Sequence, residues 1–67
     1  MKRGTKVKIT GLVSDRGKTW NSLRIEYERG IVGMVEVGPD EIGCCLVRFP
    51  TVERPLDVPR ELLAHTR

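Results

Sequence analysis

Glycine and proline interrupt this chain so often that a long helix has no room to form. Seven glycines and four prolines are spread over its 67 residues, and both residue types break helical periods. Valine and isoleucine together number twelve, whereas leucine and alanine together number seven. Because β-branched side chains favour strands, the sequence predicts an all-β fold of short strands joined by turns.

A chain of this length holds one small hydrophobic core, so we expect a single domain over residues 1–67. Such domains commonly gain stability from disulfides, a metal or a partner. The two cysteines, Cys44 and Cys45, are adjacent and cannot join distant parts of the chain. The sequence also lacks the ligand spacing of a metal site. We therefore expect no metal and no cofactor, and we expect a macromolecular partner or a homo-oligomer.

Alternation of polar and apolar residues marks the predicted strands. In the first, Lys6–Thr10, Val7 and Ile9 face the core. The other predicted strands are residues 23–28, 31–37, 44–49 and 56–58, and residues 60–63 are predicted to form a helical turn. By the same alternation Tyr27 and Phe49 belong to the core. Five short strands separated by turns match a small, strongly bent barrel with a short C-terminal helical turn.

Two segments resemble the KOW-type SH3-like barrel family. They are residues 1–11, MKRGTKVKITG, with a glycine before a strand of alternating basic and branched residues, and residues 30–37, GIVGMVEV. Residues 45–49 and 56–63 resemble the closing half of small SH3-like barrels, including accessory-subunit families such as the variable chain of ferredoxin-thioredoxin reductase. The resemblance implies a five-stranded SH3-like barrel. Its KOW side implies contacts with RNA or proteins, and its accessory-subunit side implies docking to a larger complex.

Basic residues are concentrated in the first part of the chain. Residues 1–25 contain seven basic residues and one acidic residue, a net charge of +6, whereas residues 26–67 carry −3. Concentrated positive charge attracts polyanions, and an exposed loop tryptophan stacks on bases. We therefore predict nucleic-acid binding through the N-terminal strand and the loop around Trp20. The candidate nucleic-acid-binding residues are Lys2, Arg3, Lys6, Lys8, Arg16, Lys18, Trp20 and Arg24.

The same residues have structural alternatives. Lysines on solvent-facing strand positions also protect sheet edges from unwanted pairing, and Trp20 would equally cover one end of the core. The alternative function is that of a protein-docking or assembly subunit. Alternation places Met34, Cys44 and Leu46 on the face opposite the core, which makes them candidate protein-interface residues.

Catalysis and membrane binding are not expected. The only histidine, His65, has no neighbouring nucleophile, and we find no convergent catalytic set, so we expect a non-enzymatic protein. The longest apolar run, Cys44–Val47, is too short to cross a bilayer. Residues 1–3 are not followed by the hydrophobic segment of a signal peptide. We therefore expect a cytoplasmic protein.

Overall fold

The computed structural model describes residues 2–66. Within that range the strands are β1 Lys6–Ile9, β2 Gly33–Val37, β3 Cys44–Arg48, β4 Leu56–Pro59 and β5 Leu63–His65. A 3₁₀ turn, Asn21–Leu23, continues into helix α1, Arg24–Glu28, and a second 3₁₀ turn, Arg60–Leu62, leads into β5. The strands form one antiparallel sheet in the order β4-β3-β2-β1-β5. Four of the five predicted strands, matching β1 to β4, and the predicted helical turn near the C-terminus are therefore confirmed.

The sheet is open rather than closed. Over residues 2–66 the two edge strands, β4 and β5, do not pair with each other, so the predicted closure into a barrel is wrong. Pro59 ends β4, and proline has no N–H with which to continue a ladder. Strand β5 has only three residues, too few for alternation to predict it. All three pair with β1, through Leu63 with Ile9, Ala64 with Lys8 and His65 with Val7.

The core follows the predicted alternation on β1 and β3. Among the described residues the buried hydrophobic set is Val7, Ile9, Leu23, Val35, Cys45, Val47, Phe49, Val58, Leu62 and Leu63. Glycine inside a strand marks either a bulge or a close backbone approach, and Gly33 makes a close approach. A Cβ atom there would lie 2.7 Å from both Phe49 Cε1 and Val47 Cγ1. Only glycine therefore allows β2 to pack against these two side chains.

Residues 23–28 are helical, so the predicted strand there is wrong. Helix α1 ends in a Schellman motif. Gly30 has φ +60°, its N–H donates to the Tyr27 carbonyl at 3.3 Å, and the Ile31 N–H donates to the Glu26 carbonyl at 3.0 Å. Because glycine adopts this left-handed conformation readily, Gly30 stops the helix and turns the chain towards β2.

Helical geometry also reverses the predicted inward face of this segment. Ile25 and Tyr27 are exposed, whereas Glu26 is only 3% exposed. The predicted core position of Tyr27 is therefore wrong, while Phe49 is in the core as predicted. The buried carboxylate accepts a hydrogen bond from Thr51 Oγ1 at 3.0 Å. This bond joins α1 to the turn that follows β3.

Candidate binding cleft

A tight hairpin follows β1 and forms the first wall of a cleft. Val13 and Thr19 pair in an isolated antiparallel bridge. Between them the Gly17 N–H donates to the Ser14 carbonyl at 2.8 Å, and the Ser14 N–H donates to the Lys18 carbonyl at 2.9 Å. Gly17 supplies the positive φ, +80°, that this turn requires. We call residues 13–19 the hairpin loop.

Trp20 lies at the base of the hairpin loop. Its backbone N–H donates to the Leu12 carbonyl at 2.7 Å, and its half-buried side chain packs against the core. The Lys18 ammonium is 4.8 Å from the centre of the indole ring, a cation–π contact. Within residues 2–66 the buried indole N–H finds no hydrogen-bond acceptor. Trp20 thus covers one end of the core and also lines the cleft.

The turn between β2 and β3 forms part of the opposite wall. The Asp40 carboxylate accepts the N–H groups of Ile42 and Cys44, both at 3.0 Å, and Gly43 adopts φ +84°. The Arg60 N–H donates to the Gly43 carbonyl at 2.8 Å, so the turn is fixed to the second 3₁₀ turn. This bonding holds Ile42 outward, where its side chain is 68% exposed.

Between these walls is an open cleft of about 420 Å³, which we call the hairpin cleft. Its walls are Ser14, Asp15, Arg16, Lys18 and Trp20 on one side and Ile42, Cys44, Pro59 and Glu61 on the other. Four of these residues, Trp20, Ile42, Cys44 and Pro59, form an apolar surface. The rim carries two basic residues, Arg16 and Lys18, and two acidic residues. An apolar floor with a polar rim is typical of binding sites.

One end of the hairpin cleft is acidic. An adjoining hollow is lined by Asp15, Asp40, Glu41 and Glu61, with Arg60 as its basic residue. Burial raises the pKa of the Cys44 thiol above its ordinary value, and the carboxylates of Asp40, Asp57 and Glu61 raise it further. A thiol with a raised pKa stays protonated at neutral pH, so Cys44 is a poor nucleophile. It contributes apolar surface to the cleft.

The predicted nucleic-acid-binding residues are divided among several places. Arg16 and Lys18 share the hairpin cleft with Trp20. Lys6 and Lys8 are exposed on the outer face of β1, and Lys2 and Arg3 are exposed before it. On α1 the exposed Arg24 side chain lies 3.9 Å from Glu28. Lys6, Lys8 and Arg24 do not line the cleft. The whole set of predicted residues therefore does not form a single basic patch around Trp20.

The predicted protein-interface residues lie on the outer face of the sheet. Met34 is 44% exposed, and Cys44 and Leu46 are half-buried along β3. The sequence prediction missed Ile42, which is more exposed than any of them. The sequence feature that could have identified Ile42 is its position inside the turn-forming segment 38–43, where no neighbouring strand covers an apolar side chain.

Other kinds of site find no support among the described residues. Residues 2–66 contain no group of three or more His, Cys, Asp or Glu side chains placed to hold a metal ion. None of the helices in that range has the length and apolar character needed to span a membrane. Both cysteines are free thiols.

Comparison with known proteins yields no match: no protein-family model, no curated protein and no solved structure is significantly similar to this chain.

Proposed function

We propose that this chain is a non-enzymatic binding module that holds a short apolar segment of a partner protein in the hairpin cleft. The observation that carries the proposal is Ile42, which is 68% exposed and held beside Trp20 and Cys44 in the cleft wall. Covering an isoleucine side chain contributes about 1.5–3 kcal/mol. No such contribution is available to Ile42 until a ligand covers it.

The charges around the cleft favour a polypeptide over a nucleic acid. Asp40, Glu41 and Glu61 surround its acidic end, where phosphate groups would be repelled. The basic residues Arg16 and Lys18 stand on the hairpin side. A peptide can place side chains of both signs along such a surface, whereas a polyanion offers only one.

We also propose that the fold is related to SH3-like barrels, although its sheet is open. The strand order β4-β3-β2-β1-β5 and the 3₁₀ turn before β5 support this relationship. The KOW-type resemblance depends on the sequence of residues 1–11 and 30–37. Because one fold can support many different functions, the function is inferred from the cleft and not from the fold.

Replacing Ile42 with serine is expected to weaken peptide binding roughly tenfold to a hundredfold, because the apolar contact of the isoleucine is lost. Peptides would first be selected from a random display library on the unaltered protein, then measured by calorimetry. Val37→Ser is the matched control, since Val37 is 55% exposed but does not line the cleft. Equal affinity for the two variants, or no selected peptide, would refute the proposed cleft.

Nucleic-acid binding is the second candidate function. One observation favours it: Lys6 and Lys8 project side by side from the outer face of β1, preceded by exposed Lys2 and Arg3. Side chains two apart on a strand are about 6.6 Å apart, close to the spacing of successive phosphates. This surface lies away from the hairpin cleft and is tested separately.

Replacing Lys6 and Lys8 together with glutamine should reduce the salt dependence of duplex binding by about 1.8 in the slope of log K against log salt, at about 0.9 per lost phosphate contact. Fluorescence anisotropy with a short labelled duplex measures this slope. Arg24→Gln is the control, because Arg24 lies beside Glu28. A protein that binds neither DNA nor RNA at low salt excludes this second function.

A further inference from the structure

A second apolar surface lies at the other end of β3 from the hairpin cleft. It is a shallow groove of about 550 Å³, which we call the Met34 groove. Met34 and Val32 are 44% and 39% exposed, Val52 is half-buried beside them, and Phe49 lies beneath. Neighbouring apolar side chains that remain exposed mark interaction surfaces.

Two cations flank Met34 across the sheet. The register pairs Lys6 with Met34, and Met34 with Arg48. The Arg48 guanidinium is neutralised by Glu36 and also donates to the Glu53 carbonyl at 3.0 Å. The hydrogen bond to Glu36, and then the charge of Glu36, raise the pKa of Arg48. The bonds to Glu36 and Glu53 hold the Arg48 side chain in place along the groove. Its charge is already paired.

Lys6 differs from Arg48 in this respect. Among the described residues no carboxylate lies within ion-pair distance of its ammonium group, and no acidic side chain lines the groove. Within residues 2–66 the groove therefore combines an apolar floor with the positive charge of Lys6, which has no ion-pair partner there. A complementary ligand has a large apolar side chain with a carboxylate close to it.

We propose that the Met34 groove binds an acidic–apolar segment of a protein partner, with the apolar side chain against Met34 and Val32 and the carboxylate paired with Lys6. This surface is separate from the hairpin cleft. Cys44, which lines the cleft, and Arg48, which lines the groove, are four residues apart on β3, or about 13 Å. Both sites can therefore be occupied at once, which would let the module join two partner segments.

The test begins with selection of peptides from a random library on the Ile42→Ser variant, in which the hairpin cleft is impaired. We expect the selected peptides to contain an Asp or Glu close to a large apolar residue. Lys6→Glu and Met34→Ser should each reduce their affinity roughly tenfold, measured by calorimetry. Lys8→Glu is the control, since Lys8 carries the same charge on the same strand face but does not line the groove.

Several results would overturn this proposal. They are selection of no peptide, selection of apolar peptides without acidic residues, and an equal effect of Lys8→Glu and Lys6→Glu. Loss of peptide binding on addition of single-stranded RNA, with Lys6 and Lys8 contributing equally, would assign this face to nucleic acid instead. Because the selection uses a protein with an altered hairpin cleft, its outcome is independent of the proposed function of that cleft.

Discussion

Replacing Gly33 with alanine is expected to lower the free energy of unfolding by on the order of 1–3 kcal/mol, the usual cost of overpacking a core. The added Cβ atom would lie 2.7 Å from Phe49 Cε1 and from Val47 Cγ1, and both side chains are fully buried. Neither can move aside without displacing other core residues. For a domain this small such a loss is a large fraction of the total stability.

Urea denaturation followed by circular dichroism measures the change. Gly11→Ala is the control, because the nearest atom to a Cβ there is Leu62 Cδ2 at an ordinary 3.9 Å, so we expect an effect within about 0.5 kcal/mol. Phe49→Leu should partly rescue Gly33→Ala in a double-mutant cycle, since it shortens the side chain that the new methyl meets. Equal stability of the two alanine variants would contradict this account of Gly33.

The sequence correctly predicted those strands in which the alternating apolar residues are also the buried ones. On β1 and β3 the alternating residues extend over four or five positions, and their inward members, such as Val7 and Cys45, are buried. Residues 23–28 alternate equally well but are helical. There the deciding features are the glycine at position 30, which ends the helix, and a buried glutamate that accepts a hydrogen bond from Thr51, distant in sequence.

The candidate site was less predictable than the sheet. The loop around Trp20 and its basic neighbours Arg16 and Lys18 were identified from the sequence, and these three residues do share the hairpin cleft. In the opposite wall only Cys44 was identified, as a candidate protein-interface residue, and its place beside Trp20 was not predicted. Its position depends on β3 pairing with β4 and on the hydrogen bond from Arg60 to Gly43, and local patterns do not report such long-range contacts.

Replacing Thr51 with valine is expected to destabilise the protein by about 1–3 kcal/mol, because a buried acceptor loses its donor. The Thr51 hydroxyl donates to the Glu26 carboxylate at 3.0 Å, and Glu26 is almost completely buried. Leaving a polar group in the interior without its hydrogen bond costs more than the bond itself contributes. Thr19→Val is the control, since Thr19 is exposed like Thr51 but among the described residues its hydroxyl makes no hydrogen bond comparable to that of Thr51.

Removing the Glu26 carboxylate as well tests whether the unpaired acceptor causes the loss of stability. When both partners of a buried hydrogen bond are replaced by apolar groups of similar shape, stability is often restored. The double variant Glu26→Met with Thr51→Val should therefore be more stable than Thr51→Val alone, as measured by the urea midpoint at constant slope. If the double variant is less stable than Thr51→Val, the carboxylate stabilises the junction between α1 and the turn after β3 through contacts other than Thr51. In that case burial of Glu26 supports the fold independently of this hydrogen bond.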